Sequence, residues 1–194
     1  MSSSQSEIRR NIVAERRQLE PEFSEPASAL ISSELLRSRF MKTANSVAIY
    51  MAVGGEVDCQ FFAERAILRK KQLFLPVLRK SRLMFAPYDS STPMHRNIYG
   101  ILEPVYKDAD LRSGLQLDTV ITPLVAFDEQ RNRIGMGGGY YDRCFSFKKR
   151  RGQWRKPLLI GVAYDFQRVD KLSPQPWDVP LDCVITEKEC YGSY

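Results

Sequence analysis

Apolar residues fall in short runs along this chain, separated by polar stretches of helical or turn-like character. Ile8, Ile12 and Leu19 share one face of a basic segment and predict a helix over residues 7–19. Glu20-Pro21-Glu22 breaks it, and Ser24 and Pro26 open a second helix to residue 37, with Leu30, Ile31 and Leu35 apolar. Residues 46–53 are rich in β-branched and aromatic side chains and predict a strand that stops at Gly54-Gly55. Asp58 is placed to cap a helix over 61–68, which ends in Arg69-Lys70-Lys71. Strands are expected over 72–78 and 83–88, followed by a polar loop over 89–99. A buried strand over 118–127 carries Pro123 near its middle, an unusual place for proline, and a turn follows over 128–133. A glycine cluster then leads into a helix from about 139, residues 148–156 read as a basic loop, and strands are expected over 158–163 and 183–186.

Helices thus alternate with short strands whose apolar runs are continuous. That pattern favours an α/β fold with a mainly parallel sheet covered on both faces. There is no internal repeat and no linker, so residues 1–194 read as one domain. A chain of this length can bury roughly 70% of its unfolded surface without a disulfide or metal staple. With 43% hydrophobic and 27% charged residues, a disordered chain, a collagen-like chain and a disulfide scaffold are excluded.

The net charge is +6 (29 basic minus 23 acidic), with one histidine, His95, which rules out a His-rich metal centre. No apolar run approaches the roughly 18–20 residues needed to span a bilayer. The start of the chain, residues 1–5, is a polar Ser-rich stub without the apolar core of a signal peptide. Cys59, Cys144, Cys183 and Cys190 form no CxxC pair, so reduced thiols in a cytoplasmic protein are expected.

Chemistry concentrates in Arg133-Ile134-Gly135-Met136-Gly137-Gly138-Gly139-Tyr140-Tyr141-Asp142-Arg143, with four glycines in the five positions 135–139. Glycines between a strand and a helix let backbone N–H groups approach a ligand closely and favour a phosphate. No Gly-Lys-Ser/Thr follows, so this is not a Walker A loop, and Tyr140 stands where a dinucleotide fingerprint needs glycine. A flexible surface loop is the plain alternative.

This run resembles the signature of the 5-formyltetrahydrofolate cyclo-ligases, also called methenyltetrahydrofolate synthetases. Residues 121–128 (ITPLVAFD), Gly100-Ile101-Leu102-Glu103-Pro104 and Gly55-Glu56-Val57-Asp58 resemble further elements of that family, in the right order over nearly the whole chain. The resemblance implies a three-layer α/β/α sandwich of the NagB/RpiA/CoA-transferase-like kind. It implies ATP-dependent closure of 5-formyltetrahydrofolate to 5,10-methenyltetrahydrofolate, with ADP and phosphate released and the formyl oxygen phosphorylated on the way. Such chemistry needs positioning and cations rather than a protein nucleophile.

Carried over residue by residue, the resemblance places Arg133, Ile134, Gly135, Met136, Gly137, Gly138, Gly139, Tyr140 and Tyr141 at ATP. It places Met51, Glu56 and residues 136–140 at the folate. Asp142 and Asp182 become ligands of Mg²⁺, and Arg133, Tyr140 and Asp142 the catalytic set. The family's N-terminal Lys-x-x-x-Arg corresponds to Gln5 and Arg9, with Gln5 where lysine is common. Arg16 and Arg17 read as a solvated helix face. Without the resemblance, Glu56 and Asp182 read as turn residues, Asp142 as a first-turn helix acid, the two tyrosines as helix packing and Met51 as core.

His95 receives no role, and Phe61, Phe62, Phe85 and Tyr88 read as core. Lys148-Lys149-Arg150-Arg151, with Arg155 and Lys156, reads as a solvated loop that could also attract polyanionic ligands. The expected partner is a small molecule, 5-formyltetrahydrofolate including its polyglutamylated forms, acted on by a monomer without nucleic acid or membrane. Competing readings are another phosphate-binding activity on the same fold, such as sugar-phosphate isomerisation or an acyl-CoA reaction, and an RNA-binding module that has lost turnover.

Overall fold

The computed structural model describes residues 4–97, 100–150 and 156–192. The helices are α1 (Gln5–Arg16), α2 (Pro21–Arg37), α3 (Arg39–Thr43), α4 (Gln60–Leu68), α5 (Tyr140–Phe145) and α6 (Phe147–Arg150). The strands are β1 (Ser46–Ala48), β2 (Gln72–Arg79), β3 (Arg82–Tyr88), β4 (Met94–Arg96), β5 (Leu102–Pro104), β6 (Thr119–Pro123), β7 (Ala126–Phe127), β8 (Arg133–Ile134), β9 (Leu158–Val162), β10 (Cys183–Ile185) and β11 (Cys190–Tyr191).

Seven strands form one sheet in the order β11-β10-β9-β6-β1-β2-β3. The five inner strands are parallel, and β3 and β11 close the edges antiparallel. Side chains alternate between two cores, as strand geometry requires. Val47, Leu73, Leu75, Ile121, Ile160 and Cys183 pack under α2, α3 and α4 through Ile31, Leu35, Met41 and Phe62. Ala48, Phe74, Val120, Leu159 and Val184 face the other way, against Phe145 of α5, Phe127 and Leu181. The expected mainly parallel sheet, covered on both faces, is what the chain forms.

Strand order reverses at β1. The chain builds β2 and β3 on one side of it, then returns to lay β6 on the other. In open α/β sheets the crevice beyond the carboxyl ends of two such strands is where ligands bind.

Several elements differ from expectation for local reasons. Helix α2 begins at Pro21, because proline suits a first helical turn and Glu20 before it is extended; Pro21 starts the helix where a break was expected. Pro26 lies inside it. Helix α4 starts at Gln60, whose N–H bonds Asp58 Oδ1 at 2.8 Å. Strand β1 ends at Ala48, Ile49 N still donates to Phe74 O of β2, and the segment from Tyr50 on turns toward the crevice. The expected strand over 118–127 is two elements: β6 ends at Pro123, and β7 pairs with β8 in a separate ribbon. Pro123 is thus terminal, not central. That ribbon rests on α1 through Ile12, Val125, Ala126 and Ile134. The loop over 89–99 contains β4, which pairs with β5; His95 lies there, exposed, opposite Glu103.

The basic segment also departs from a solvated loop. Lys148 and Lys149 are in α6, Lys148 Nζ bonds Asp182 Oδ2 at 2.9 Å and Lys156 Nζ bonds Asp118 Oδ1 at 2.6 Å. Residues 151–155, including Arg151 and Arg155, lie outside the described residues. None of the four cysteines is in a disulfide among the described residues. Among the described residues, no helix is long and apolar enough to cross a membrane.

Candidate active site

A cleft of about 1410 Å³ opens at the strand-order reversal. Typical sites for one small ligand occupy roughly 300–1,000 Å³, so this one has room for two. Its walls are α1, the segment after β1, the ends of β2 and β6, the glycine-rich turn with α5, and residues 175–178.

Helix α1 runs along the cleft. Gln5 and Arg16 are eleven residue steps apart, roughly 16 Å along the axis. At one end Gln5 Nε2 donates to Ser173 O at 2.9 Å, and one turn on, Arg9 Nε donates to Gly135 O at 2.8 Å. At the other end Arg16 is buried. Its Nε donates to Gly54 O at 3.0 Å, Nη1 to Leu124 O at 3.2 Å, and Nη2 lies 3.5 Å from Glu56 Oε1. Arg16 is therefore no solvated helix face. It ties the segment after β1 to the end of β6.

That segment presents Met51 and Glu56 to the cleft. Tyr50 Oη donates to Val57 O at 2.8 Å, and Val53 N donates to Glu56 Oε2 at 3.2 Å. Gly55 sits at φ +76°, and a Cβ there would lie 2.2 Å from Arg16 O, so only glycine fits. Burial raises the Glu56 carboxyl pKa above its ordinary value, against the pull of Arg16 and the Val53 N–H.

Across the cleft, β8 delivers Arg133 and the glycine turn. The Arg133 side chain is 6% exposed; Nη1 donates to Val179 O at 2.5 Å and Nη2 to Asp142 Oδ1 at 2.8 Å. Val179 N also donates to Asp142 Oδ1, at 3.0 Å. Arg133 thus fixes Asp142 against the 175–179 segment. Gly137 and Gly139 have φ +98° and +60°, and nothing lies within 4 Å of a Cβ built on Gly135 or Gly137, which leaves that backbone open to a ligand. Tyr140 stacks under the Arg143 guanidinium, 4.8 Å from ring centroid to Cζ. Burial, then the charge of Glu56, pushes the Tyr141 hydroxyl up, so it stays a protonated donor.

The cleft lining brings together Gln5, Arg9, Met51, Glu56 and all of residues 133–142. Asp182 is not among the lining residues. Its Oδ2 accepts from Lys148 Nζ at 2.9 Å and from Leu159 N at 2.7 Å, at the entry to β10. Among the described residues, no three His, Cys, Asp or Glu side chains group as a metal site. Asp142 suits a hard cation as a single carboxylate: its protein bonds all fall on Oδ1, and Mg²⁺ fills its shell with phosphate oxygens and water.

Sequence reasoning missed other lining residues. Arg143 was inside the quoted run but had no role. Gln175, Trp177 and Asp178 also line the cleft, as does Lys149 of the basic segment that was expected to be a solvated loop able to attract polyanionic ligands. Trp177 is 66% exposed, and Lys149 Nζ holds its loop by donating to Pro176 O and to Asp178 O. The one available signal was a large exposed-type aromatic in a Pro-rich stretch, SPQPWDVP, with no run of core residues around it.

A mainly parallel α/β sheet with a large cleft at its strand reversal, lined by open glycine backbone and arginines, is the arrangement of an α/β enzyme that binds an anionic ligand. The model of the 5-formyltetrahydrofolate cyclo-ligase family matches residues 1–187. The chain is 35% identical to 5-formyltetrahydrofolate cyclo-ligase of Haemophilus influenzae over 180 residues, covering 90% of this chain and 89% of that one. It is 34% identical to the Escherichia coli K12 enzyme of the same name, covering 91% and 96%. The NMR structure of Aquifex aeolicus 5,10-methenyltetrahydrofolate synthetase superposes with a TM-score of 0.83 at 32% identity, over 97% of this chain and 92% of that one. The chain belongs to the 5-formyltetrahydrofolate cyclo-ligase family.

Proposed function

We propose that this enzyme closes 5-formyltetrahydrofolate to 5,10-methenyltetrahydrofolate with ATP converted to ADP and phosphate. The observation that supports the reading is the shared cleft: Met51, Glu56, the glycine turn 135–139 and Asp142 all line one cavity. A cavity with that lining suits a formyl group held beside a terminal phosphate.

The formyl oxygen attacks the γ-phosphorus. The bond from that phosphorus to the β–γ bridging oxygen breaks, and ADP leaves with the electron pair. N10 then attacks the activated formyl carbon, the carbon–oxygen bond breaks, phosphate departs with the former formyl oxygen, and N10 loses its proton to solvent. Glu56 accepts N–H donors of the pterin and fixes its orientation. Glycine N–H groups of residues 135–139 hold phosphate oxygens, as positioning catalysis of phosphoryl transfer requires. Mg²⁺, held by Asp142, neutralises phosphate charge when bound. Tyr140 offers its ring face to the bound ligands. The enzyme works as a cytoplasmic monomer on folate with or without a polyglutamate tail, and needs neither nucleic acid nor membrane.

Substrate labelled with ¹⁸O in the formyl group tests the route. The label is expected in the released phosphate. Label retained in water or folate, with phosphate unlabelled, contradicts it.

A further inference from the structure

Four cationic side chains line the cleft: Arg9, Arg133, Arg143 and Lys149. Three of them have protein acceptors. Arg9 Nε bonds Gly135 O at 2.8 Å. Arg133 is engaged at both terminal nitrogens, by Val179 O and Asp142. Lys149 Nζ bonds two backbone carbonyls of the 176–178 segment.

Arg143 differs. It is exposed and its guanidinium has no hydrogen-bond acceptor or ion-pair partner among the described residues. It is nonetheless held in place. The Tyr140 ring lies 4.8 Å beneath Cζ, and Nη1 is 2.9 Å from where a Cβ on Gly139 would stand. Glycine at 139 is what lets the guanidinium lie directly over the turn. A cation–π contact at an exposed site contributes only about 0.5–1 kcal/mol and uses none of the five N–H donors. The result is an oriented fork of unused donors over the most open backbone of the cleft. A fork of this kind matches a phosphate, with two parallel N–H···O bonds.

We propose that Arg143 is the side chain that binds the transferred phosphoryl group, and that Arg133 is a positioning residue that holds Asp142. The assignment rests on the ATP-dependent reading above. The resemblance placed Arg133 in the catalytic set with Tyr140 and Asp142 and gave Arg143 no role. Arg143 meets the equatorial oxygens as the phosphoryl group passes from the β–γ bridging oxygen, which leaves with ADP, to the formyl oxygen, where a guanidinium is most effective.

The test compares the full-length enzyme with Arg143→Ala, Arg143→Gln and Arg143→Lys, measuring kcat and KM for ATP at saturating folate. Folate binding by equilibrium dialysis and thermal melting are followed in parallel. Removal of the guanidinium is expected to lower kcat/KM for ATP by about 10²-fold or more. Folate affinity should stay within about twofold and the melting temperature within about 3 °C, as for an exposed substitution. Lysine should recover part of the loss, and millimolar guanidinium should restore part of the Ala variant's turnover, which a structural role for Arg143 would not produce. Turnover of Arg143→Ala within about threefold of the parent, with ADP still formed by both, overturns the assignment and leaves the ATP-dependent reading standing. A parent that forms methenyl product without consuming ATP overturns both.

Discussion

Arg16 of α1 and Glu56 of the segment after β1 form an ion pair 3.5 Å long, with side chains only 2% and 8% exposed. Buried pairs of this kind are costly to break, because the surviving charge is left without a partner. Arg16 also bonds Gly54 O and Leu124 O, so it joins the two strand ends that frame the cleft. Arg16→Met is expected to lower stability by about 3–5 kcal/mol. That corresponds to roughly 6–20 °C in melting temperature for a chain of this size. In the surviving folded fraction, KM for folate should rise more than kcat falls. Thermal melting and steady-state kinetics check this.

Glu56 gives the site a pH dependence with a defined sign. Burial raises its carboxyl, and Arg16 and the Val53 N–H oppose that rise; Tyr50, Cys59 and Tyr141 are the other titratable groups around it. A folded value above the unfolded one means that its contribution to stability is present at low pH and is lost as pH rises through the folded value. Binding runs the other way, since only the carboxylate accepts two N–H donors. The acid limb of kcat/KM for folate should therefore lie above the ordinary Glu value of about 4.3. It should disappear in Glu56→Gln, whose kcat/KM is lower at every pH. An unchanged limb in that variant would separate Glu56 from folate recognition.

Gly55 has no room for a methyl group. A Cβ would stand 2.2 Å from the Arg16 carbonyl oxygen, backbone against backbone, at φ +76°. Gly55→Ala must displace the segment that carries Glu56. A loss of roughly 2–4 kcal/mol is expected from strain plus the weakened ion pair. Gly135→Ala is the control, because nothing lies within 4 Å of its Cβ. Urea unfolding of the two variants separates them.

Asp142 and Asp182 should respond differently to magnesium. Asp142→Asn is expected to lower kcat by about 10²-fold or more and raise the Mg²⁺ needed for half-maximal rate. Asp182→Asn should leave that requirement unchanged and cost about 1–3 kcal/mol, the effect of weakening its bonds to Lys148 and to Leu159 N. Magnesium titration of initial rates reads both.

The parts legible in the sequence were those carried by contiguous residues. The glycine run, its tyrosines and Asp142 form one wall because three φ-permissive or open positions follow a strand directly. Met51 and Glu56 follow β1 within a few residues, so the strand end delivers them together. Contacts between distant segments were not legible. Nothing near Arg16 in the sequence announces Gly54, Glu56 and Leu124 as its surroundings, and a basic helix with few apolar positions looks solvated. Lys148 and Lys149 misled in the same way, since their acceptors lie near residues 157, 176–178 and 182. Strand limits shifted where a proline or a change of sheet intervened, as at Pro123, because apolar runs continue through a change of partner.

Parallel measurement of methenyl product by its near-ultraviolet absorbance and of ADP, from 5-formyltetrahydrofolate and MgATP, tests the central claim most directly. One ADP for each methenyltetrahydrofolate is predicted, with neither formed when ATP or folate is omitted. Methenyl product formed at an undiminished rate without ATP, or ADP released without methenyl product, would contradict it.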